Sequence, residues 1–160
     1  MPIAGVLERT EGTNVSLGRG TPHPFVWIGA PWANGHDLAH QFNQKSPPGV
    51  IARPVYFTPS RPPYEGQLVS GVHLHVVDAT AVHSLKVGVA LIQTFLSLYP
   101  KDFHINIKDD DTSHPFFDLL AGGHALRHAI LSDTTDAYFE EEQKQCDTFT
   151  QQVTPYLLYS

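Results

Sequence analysis

The densest group of chemically useful side chains in this 160-residue chain lies in residues 11–21, Glu-Gly-Thr-Asn-Val-Ser-Leu-Gly-Arg-Gly-Thr. Its carboxylate, guanidinium, hydroxyl and amide groups could move a proton or hydrogen-bond a polar ligand. No apolar period of a strand or a helix runs through it, and its glycines let the backbone turn and approach a ligand closely. This composition favours a site for a hydroxyl-rich or anionic ligand over the plainer alternative, a loop that satisfies its own backbone.

The loop fits neither of the two standard nucleotide-binding patterns. A phosphate-binding P-loop needs Gly-x-x-x-x-Gly-Lys-Ser/Thr, but Gly12 and Gly18 bracket five residues and Arg19 stands where the lysine would be. A dinucleotide fingerprint needs a third glycine and a helix after Gly18-Arg-Gly20, where prolines follow instead. Both interpretations are rejected.

The loop and the segments after it resemble the C-terminal half of the NamZ-type exo-β-N-acetylmuramidases, a bacterial glycoside hydrolase family. The further matching segments, in chain order, are Pro24-Phe25, Gly29-Ala-Pro-Trp32, Pro54-Val-Tyr-Phe57, Pro59, Tyr64-Glu-Gly66, residues 71–78, Leu98-Tyr-Pro100, residues 117–120 and residues 155–159. One departure concerns Leu17, where relatives tend to carry an acidic residue.

The resemblance implies a saccharide partner that contains muramic acid, a terminal N-acetylmuramic acid released from peptidoglycan fragments, and no cofactor. It also implies a Rossmann-like domain before this one, with the active cleft between the two, so that this chain would be the C-terminal domain alone. The implied location is outside the cytoplasm or in the cell envelope, although residues 1–30 carry no secretory signal of their own.

Glycoside hydrolysis usually needs two carboxyl groups. Glu11 is the first candidate because it borders the polar loop; the alternative is a structural acid that accepts backbone N–H bonds or pairs with Arg19. Asp78, which ends a histidine-bearing segment, is the best second candidate, although such a residue is commonly a turn former. Glu65 is a weaker third choice, and the missing partner could come from the absent domain.

The resemblance also directs the choice of substrate-binding residues. Arg19 could hold the lactyl carboxylate of muramic acid, unless it forms an ion pair inside the loop. Aromatic rings could stack on the sugar, although aromatic residues are more often core, and loop hydroxyl and amide groups could bond its substituents or only stabilise the turn. His75 could bind substrate or handle a proton, or be a core histidine. The predicted substrate-binding residues are Asn14, Ser16, Arg19, Thr21, Trp32, Tyr64 and His75.

Ten histidines invite a metal hypothesis, since His36/His40 and His124/His128 are spaced one helical turn apart. The zincin pattern needs glutamate directly after the first histidine, where Asp37 and Ala125 stand instead. We therefore predict no metal site and rank a metal-dependent hydrolase below the two leading hypotheses. These are the muramidase domain and a non-catalytic module that binds a sugar or assembles with a partner.

Composition and length bear on the possible partners, on membrane insertion and on the number of domains. A net charge of −6 and scattered basic residues argue against a nucleic-acid partner. No apolar run reaches the roughly 18 residues that a membrane span needs. The length suits one domain over residues 1–160, with a core of its own.

Periodicity predicts a mixed α+β domain with a small sheet and several packed helices. Alternation over residues 69–78 is the clearest strand, with Val72 and Leu74 on one face and His73 and His75 on the other. Pro54 restricts a strand over residues 50–57 to an edge or a bulge. The predicted helices cover residues 35–43 after an Asn34 cap, 85–99 after a Ser84 cap, 115–120, 124–131 and 136–152.

Overall fold

The computed structural model describes residues 12–45, 47–105 and 115–157, which form three strands and five helices. The predicted α+β class is therefore confirmed. In chain order the elements are β1 (Trp27–Ala30), α1 (Gly35–Lys45), β2 (Val50–Phe57), β3 (Val69–Val76), α2 (Ser84–Leu98), α3 (Phe116–Ala121), α4 (Ala125–Leu131) and α5 (Thr135–Val153), followed by a short 3-10 turn at Thr154–Tyr156.

Strand β3 lies in the middle of the sheet. The strand order is β1-β3-β2, and β3 pairs antiparallel with both neighbours. Its alternation holds as predicted, because Val72 and Leu74 are buried while His73 and His75 are half-buried on the opposite face. The strand ends at Val76, two residues before the predicted end at Asp78.

The apolar face of the sheet and two helices build the core. Ile28, Val72 and Leu74 are at most 2% exposed, as are Leu38 and Phe42 of α1. Helix α1 packs against β2, β3 and α2. Helix α2 buries Val87, Leu91, Ile92 and Phe95, as its nearly continuous apolar sequence predicts.

The two core helices begin at side-chain caps. Asn34 Oδ1 accepts hydrogen bonds from the backbone N–H groups of His36 and Asp37 at 2.9 and 3.5 Å, which confirms the predicted cap of α1. The predicted Ser84 cap of α2 is wrong: His83 is the cap, and its Nδ1 accepts from Lys86 N at 3.5 Å. The helix ends at Leu98, before Pro100, as expected from the missing proline donor.

The outer edge of β2 is closed to further strand pairing. Pro54 lacks a backbone donor, so its edge location follows the prediction. The Asn43 side chain of α1 forms two hydrogen bonds of 2.9 Å with the backbone of Ala52, donating to its carbonyl and accepting from its N–H. An amide side chain thus takes the place of a neighbouring strand and protects the sheet against edge-to-edge association.

Three glycines allow β1, β3 and the start of α1 to meet. Gly29 and Gly71 are direct partners across the β1–β3 pair. A Cβ on Gly71 would lie 2.0 Å from the Ile28 carbonyl oxygen, and one on Gly35 would lie 2.3 Å from the Gly71 carbonyl oxygen. Side chains at these positions would force the three elements apart.

The chain divides into two compact units at Gly122 and Gly123. In the second unit α4 packs on α5, with Leu126 and Ile130 buried. Helix α5 buries only Thr135. The expectation of a single domain over residues 1–160 stays a prediction.

Gly71→Ala should lower the free energy of unfolding by at least about 2 kcal/mol, because the added methyl group clashes with the backbone of Ile28 and Gly29, which is held in the sheet. Urea unfolding followed by circular dichroism measures the change. The matched control is Gly66→Ala, where a Cβ meets nothing within 4 Å and only a φ of +72° is strained; we expect about 1 kcal/mol there. Equal losses in the two variants would contradict the close-contact argument.

Candidate functional site

The polar loop borders a cleft of about 550 Å³, a size typical of small-molecule sites. It brings together three of the predicted site residues, Asn14, Arg19 and Tyr64. The full lining is Thr13, Asn14, Val15, Leu17, Arg19, Pro62, Pro63, Tyr64 and Phe116. One wall is the polar loop and the other is the proline-rich segment between β2 and β3.

One backbone bridge and one side-chain anchor hold the loop in place. Ser16 pairs with Gly29 of β1 through N–H···O bonds of 2.8 and 3.1 Å, so the loop lies along the free edge of that strand. Asn14 is fixed by residues 102–104, since its Nδ2 donates to the Asp102 carbonyl at 2.7 Å and its Oδ1 accepts from His104 N at 3.0 Å. Much of the hydrogen-bonding capacity of the Asn14 amide is therefore used inside the protein.

The Tyr64 hydroxyl joins both walls of the cleft. It donates to the Asn14 carbonyl at 2.7 Å and accepts from Trp32 Nε1 at 3.2 Å. Tyr64 has a φ of +68°, which is uncommon for a bulky residue. Trp32 is itself held edge-on by Phe95 and Tyr99, with ring centroids 6.0 and 5.4 Å away. A hydrogen-bonded and packed support therefore fixes the Tyr64 ring beside the cleft.

Arg19 supplies the positive charge of the cleft. Its guanidinium carbon lies 4.7 Å from the centre of the Phe25 ring, a cation–π contact that limits where the exposed side chain can point. Phe25 has a φ of +64° and donates its N–H to the Leu17 carbonyl at 2.7 Å. The tight turn of the loop thereby positions the arginine.

Two other predicted substrate-binding residues lie inside the turn and outside the cleft lining. Ser16 is 1% exposed and its Oγ accepts from Gly18 N at 3.3 Å. Thr21 Oγ1 donates to the Gly18 carbonyl at 2.7 Å and accepts from His23 N at 3.2 Å. Both side chains therefore stabilise the turn, which was one of the two roles that the sequence allowed. A direct contact of either residue with a sugar stays a prediction.

Of the two predicted catalytic carboxyls, the structure describes Asp78 but not Glu11. Glu11 lies outside the described residues, directly before Gly12. Asp78 is exposed and follows the end of β3 that is opposite to the Tyr64 segment, about 25 Å along an eight-residue strand. Its Oδ1 accepts from Thr80 N at 2.9 Å and Thr80 Oγ1 at 2.7 Å, and these bonds lower the pKa of Asp78. Asp78 therefore stabilises a turn, away from the cleft.

His75 lies on the sheet face opposite the core, where it pairs with Ile51 of β2, and its neighbour His73 on the same strand pairs with Arg53 of β2 and Trp27 of β1. Its ring centroid is 3.9 Å from that of His73. Burial and, after it, the charge of Arg53 lower the pKa of His75. His75 belongs to a second cluster and not to the lining of the cleft.

The sequence interpretation missed the apolar part of the cleft. Leu17 is 4% exposed and lines it, as do Pro62, Pro63 and Phe116. The Pro-Pro-Tyr run at 62–64 was the available signal, because two prolines hold a segment rigid beside an aromatic ring. Phe116 gave no signal, since it reaches the cleft through a long-range contact.

The cleft can bind a polar ligand by stacking, hydrogen bonding and charge. Among its described lining residues none is a carboxylate, so the acid–base groups of a hydrolysis must come from elsewhere. In the described part of the chain no three histidine, cysteine or acidic side chains are grouped as metal ligands. Within the same ranges, no helix is both long and apolar enough to cross a membrane.

The structure is thus a mixed α+β domain with Arg19 and a hydrogen-bonded Tyr64 at an open cleft. A family profile described as "Exo-beta-N-acetylmuramidase NamZ, C-terminal" matches residues 4–159, and the chain belongs to this family. The chain is 35% identical over 159 residues to the peptidoglycan beta-N-acetylmuramidase NamZ of Bacillus subtilis (strain 168). That match covers 99% of this chain and 36% of the Bacillus protein, so the chain spans about a third of that relative.

Two solved structures share the fold. A DUF1343 family protein from Bacteroides fragilis NCTC 9343 superposes with a TM-score of 0.81 at 27% identity, over 99% of this chain and 41% of the other. A second DUF1343 family protein from the same organism gives a TM-score of 0.58 at 25% identity, over 96% and 39% of the two chains. In both, this chain corresponds to less than half of a larger protein.

Tyr64→Phe should lower the free energy of unfolding by about 1–3 kcal/mol, because the Asn14 carbonyl and the Trp32 N–H lose their shared partner. Thermal unfolding measures this loss. The matched control is Tyr56→Phe, since Tyr56 is 58% exposed and should change stability by less than about 0.5 kcal/mol. A Tyr64→Phe variant as stable as the control would show that the hydroxyl does not hold the two walls together.

Proposed function

We propose that this domain forms one wall of the cleft of an exo-β-N-acetylmuramidase, which releases terminal N-acetylmuramic acid from peptidoglycan fragments. The observation that carries the proposal is the cleft itself. This chain belongs to the NamZ C-terminal family, and its Asn14, Arg19 and Tyr64 line one cleft that is large enough for a sugar. The relative from Bacillus is named for this activity, but it is almost three times as long as the matched segment.

The proposed role of Arg19 is to bind the lactyl carboxylate that distinguishes muramic acid from glucosamine. A guanidinium binds a carboxylate through two parallel hydrogen bonds, and the Phe25 contact restricts its position before substrate arrives. Restricting the side chain beforehand lowers the entropy cost of binding. Arg19 is exposed, so solvent reaches it on the open side of the cleft.

The proposed role of Tyr64 is to present a flat ring to the sugar. Because its hydroxyl is engaged by Asn14 and Trp32, the ring face is the part left for a ligand. Trp32 is absent from the cleft lining, so we infer that it acts through Tyr64 as a positioning residue. The Asn14 side chain, which lines the cleft, would contact the sugar hydroxyls or the acetamido group.

The proposed catalytic pair is divided between two domains. Glu11 directly precedes the loop and is the candidate acid of this domain. A second carboxyl from a preceding Rossmann-like domain would complete the pair, and the C-terminal location of the match in the family supports a shared cleft. Asp78 and His75 are weaker candidates, since their surroundings hold them away from the cleft lining.

The second candidate function is a saccharide-binding module without turnover. The lack of a carboxylate among the described lining residues favours it, as does the apolar Leu17 in that lining. The two functions differ in whether Glu11 matters for hydrolysis or only for binding.

Glu11→Gln should abolish hydrolysis of a chromogenic β-N-acetylmuramide, because an amide cannot donate or take up the proton. The chain is assayed alone and mixed with the Rossmann-like domain of a relative. We expect turnover only in the mixture, and a loss of at least about 100-fold with the variant. The control is Glu141→Gln, on the exposed surface of α5. Binding without turnover in every mixture would leave the binding module as the function.

Arg19→Gln should weaken binding of N-acetylmuramic acid at least about 10-fold and leave binding of N-acetylglucosamine unchanged, because only the first sugar has a carboxylate. Isothermal titration calorimetry with the two sugars measures the difference. Arg61→Gln, an exposed arginine outside the cleft lining, is the matched control. Equal weakening for both sugars would refute the carboxylate assignment.

A further inference from the structure

The sheet has a second surface that the cleft does not use. The strand register places Trp27, Ile51, Arg53, His73 and His75 on the side opposite the core, and His23 stacks beside them. We call these six residues the histidine face. Its imidazoles form a ladder, with centroid distances of 3.9 Å from His75 to His73 and 5.3 Å from His73 to His23.

The histidine face concentrates basic side chains on an acidic protein. The whole chain carries a net charge of −6, yet Arg53 and three histidines stand together here. No carboxylate from the described residues forms an ion pair with Arg53. Every charged group that acts on His73 has the same sign, since His75, His23 and Arg53 all lower its pKa, after burial. Residues 12–45, 47–105 and 115–157 therefore supply no counter-charge to this face.

The face also exposes apolar area beside these charges. Ile51 is 41% exposed near the start of β2, and Val77 is 61% exposed just after β3. On β2 this face carries Ile51, Arg53 and Val55 in alternation, and on β3 it carries His73 and His75 before Val77. A flat surface of this kind suits an extended segment whose acidic and apolar side chains alternate.

Strand addition at the edge is not the mode of binding, because the β2 edge is already occupied. Asn43 holds both backbone groups of Ala52, and Pro54 has no donor. A partner must therefore lie across the face and contact side chains.

We propose that the histidine face is a docking surface for an acidic peptide segment of a partner protein, with Arg53 and His75 as the main contacts for its carboxylates. This inference is independent of the muramidase proposal, because it uses no residue of the cleft.

The interaction should strengthen as the pH falls. A carboxylate next to His73 and His75 favours their charged forms and raises their pKa values, so binding takes up protons. In the free protein the pKa values of both groups lie below 6.5, so the unfolded chain binds more protons than the native one below that pH. Stability of the free protein is therefore lost as the pH falls through about 6.5, and a bound acidic segment should restore it.

The test is calorimetric titration of the full chain with a synthetic peptide in which glutamate and leucine alternate. We expect saturable binding that is several-fold tighter at pH 5.5 than at pH 7.5. Binding should weaken at least about 10-fold in the Arg53→Gln/His75→Gln double variant. The matched control is Arg61→Gln/His36→Gln, which removes the same side-chain types at exposed positions outside the face.

Histidine NMR titration adds a readout that a purely structural role would not change. The peptide should raise the pKa values of His73 and His75, while the NMR signals of His36 should not respond to the peptide. The proposal is overturned if the peptide fails to bind or if the two double variants weaken binding equally. It is also overturned if a lysine–leucine peptide binds as well, or if phosphate displaces the peptide when chloride at equal ionic strength does not.

Discussion

The contact of three glycines at the centre of the sheet is the constraint on which the other elements depend. Gly29 and Gly71 face each other across β1 and β3, and Gly35 lets α1 begin directly over the Gly71 carbonyl. Because the backbones approach so closely there, α1 reaches the sheet and the core closes around Leu38 and Phe42. Gly29 also receives the bridge from Ser16, so the same point fixes where the polar loop leaves the sheet.

Some polar side chains of the loop stabilise its own turns, and others line the cleft. Ser16 and Thr21 are used in turns, whereas Arg19 stays exposed beside the cleft. Tyr64 then connects the loop with the proline-rich segment and with Trp32. A cleft built in this way presents a rigid ring and a positioned charge, and its described lining contains no proton-transfer carboxylate.

Local signals in the sequence predicted much of the fold. The alternation around Val72, the Asn34 cap and the edge location that Pro54 requires are short-range effects, and all three are present. The cap of α2 was misassigned because His83 and Ser84 are both capable acceptors and only the helix geometry decides between them.

The site was harder to predict from sequence. Asn14, Tyr64 and Trp32 are brought together by contacts 32 and 50 residues apart in sequence, which no local pattern encodes. Their types marked them as candidates, but their partners did not follow from the sequence. Asp78 and His75 were chosen for their place beside a recognisable strand, and the three-dimensional path of that strand leads them away from the cleft.

The strand order also determines when the cleft can form during folding. Strand β3 must pass between β1 and β2, so the sheet stays open until residue 76 is in place. The β2–β3 hairpin is the local step, since its strands are consecutive, while docking of β1 and the polar loop closes a longer segment at a larger entropy cost. The hydrogen bond from the Tyr64 hydroxyl to the Asn14 carbonyl connects the hairpin formed in the first step with the polar loop docked in the second. The cleft therefore belongs to the late stage of assembly, and ligand binding by a refolding sample reports arrival at the native state rather than formation of secondary structure.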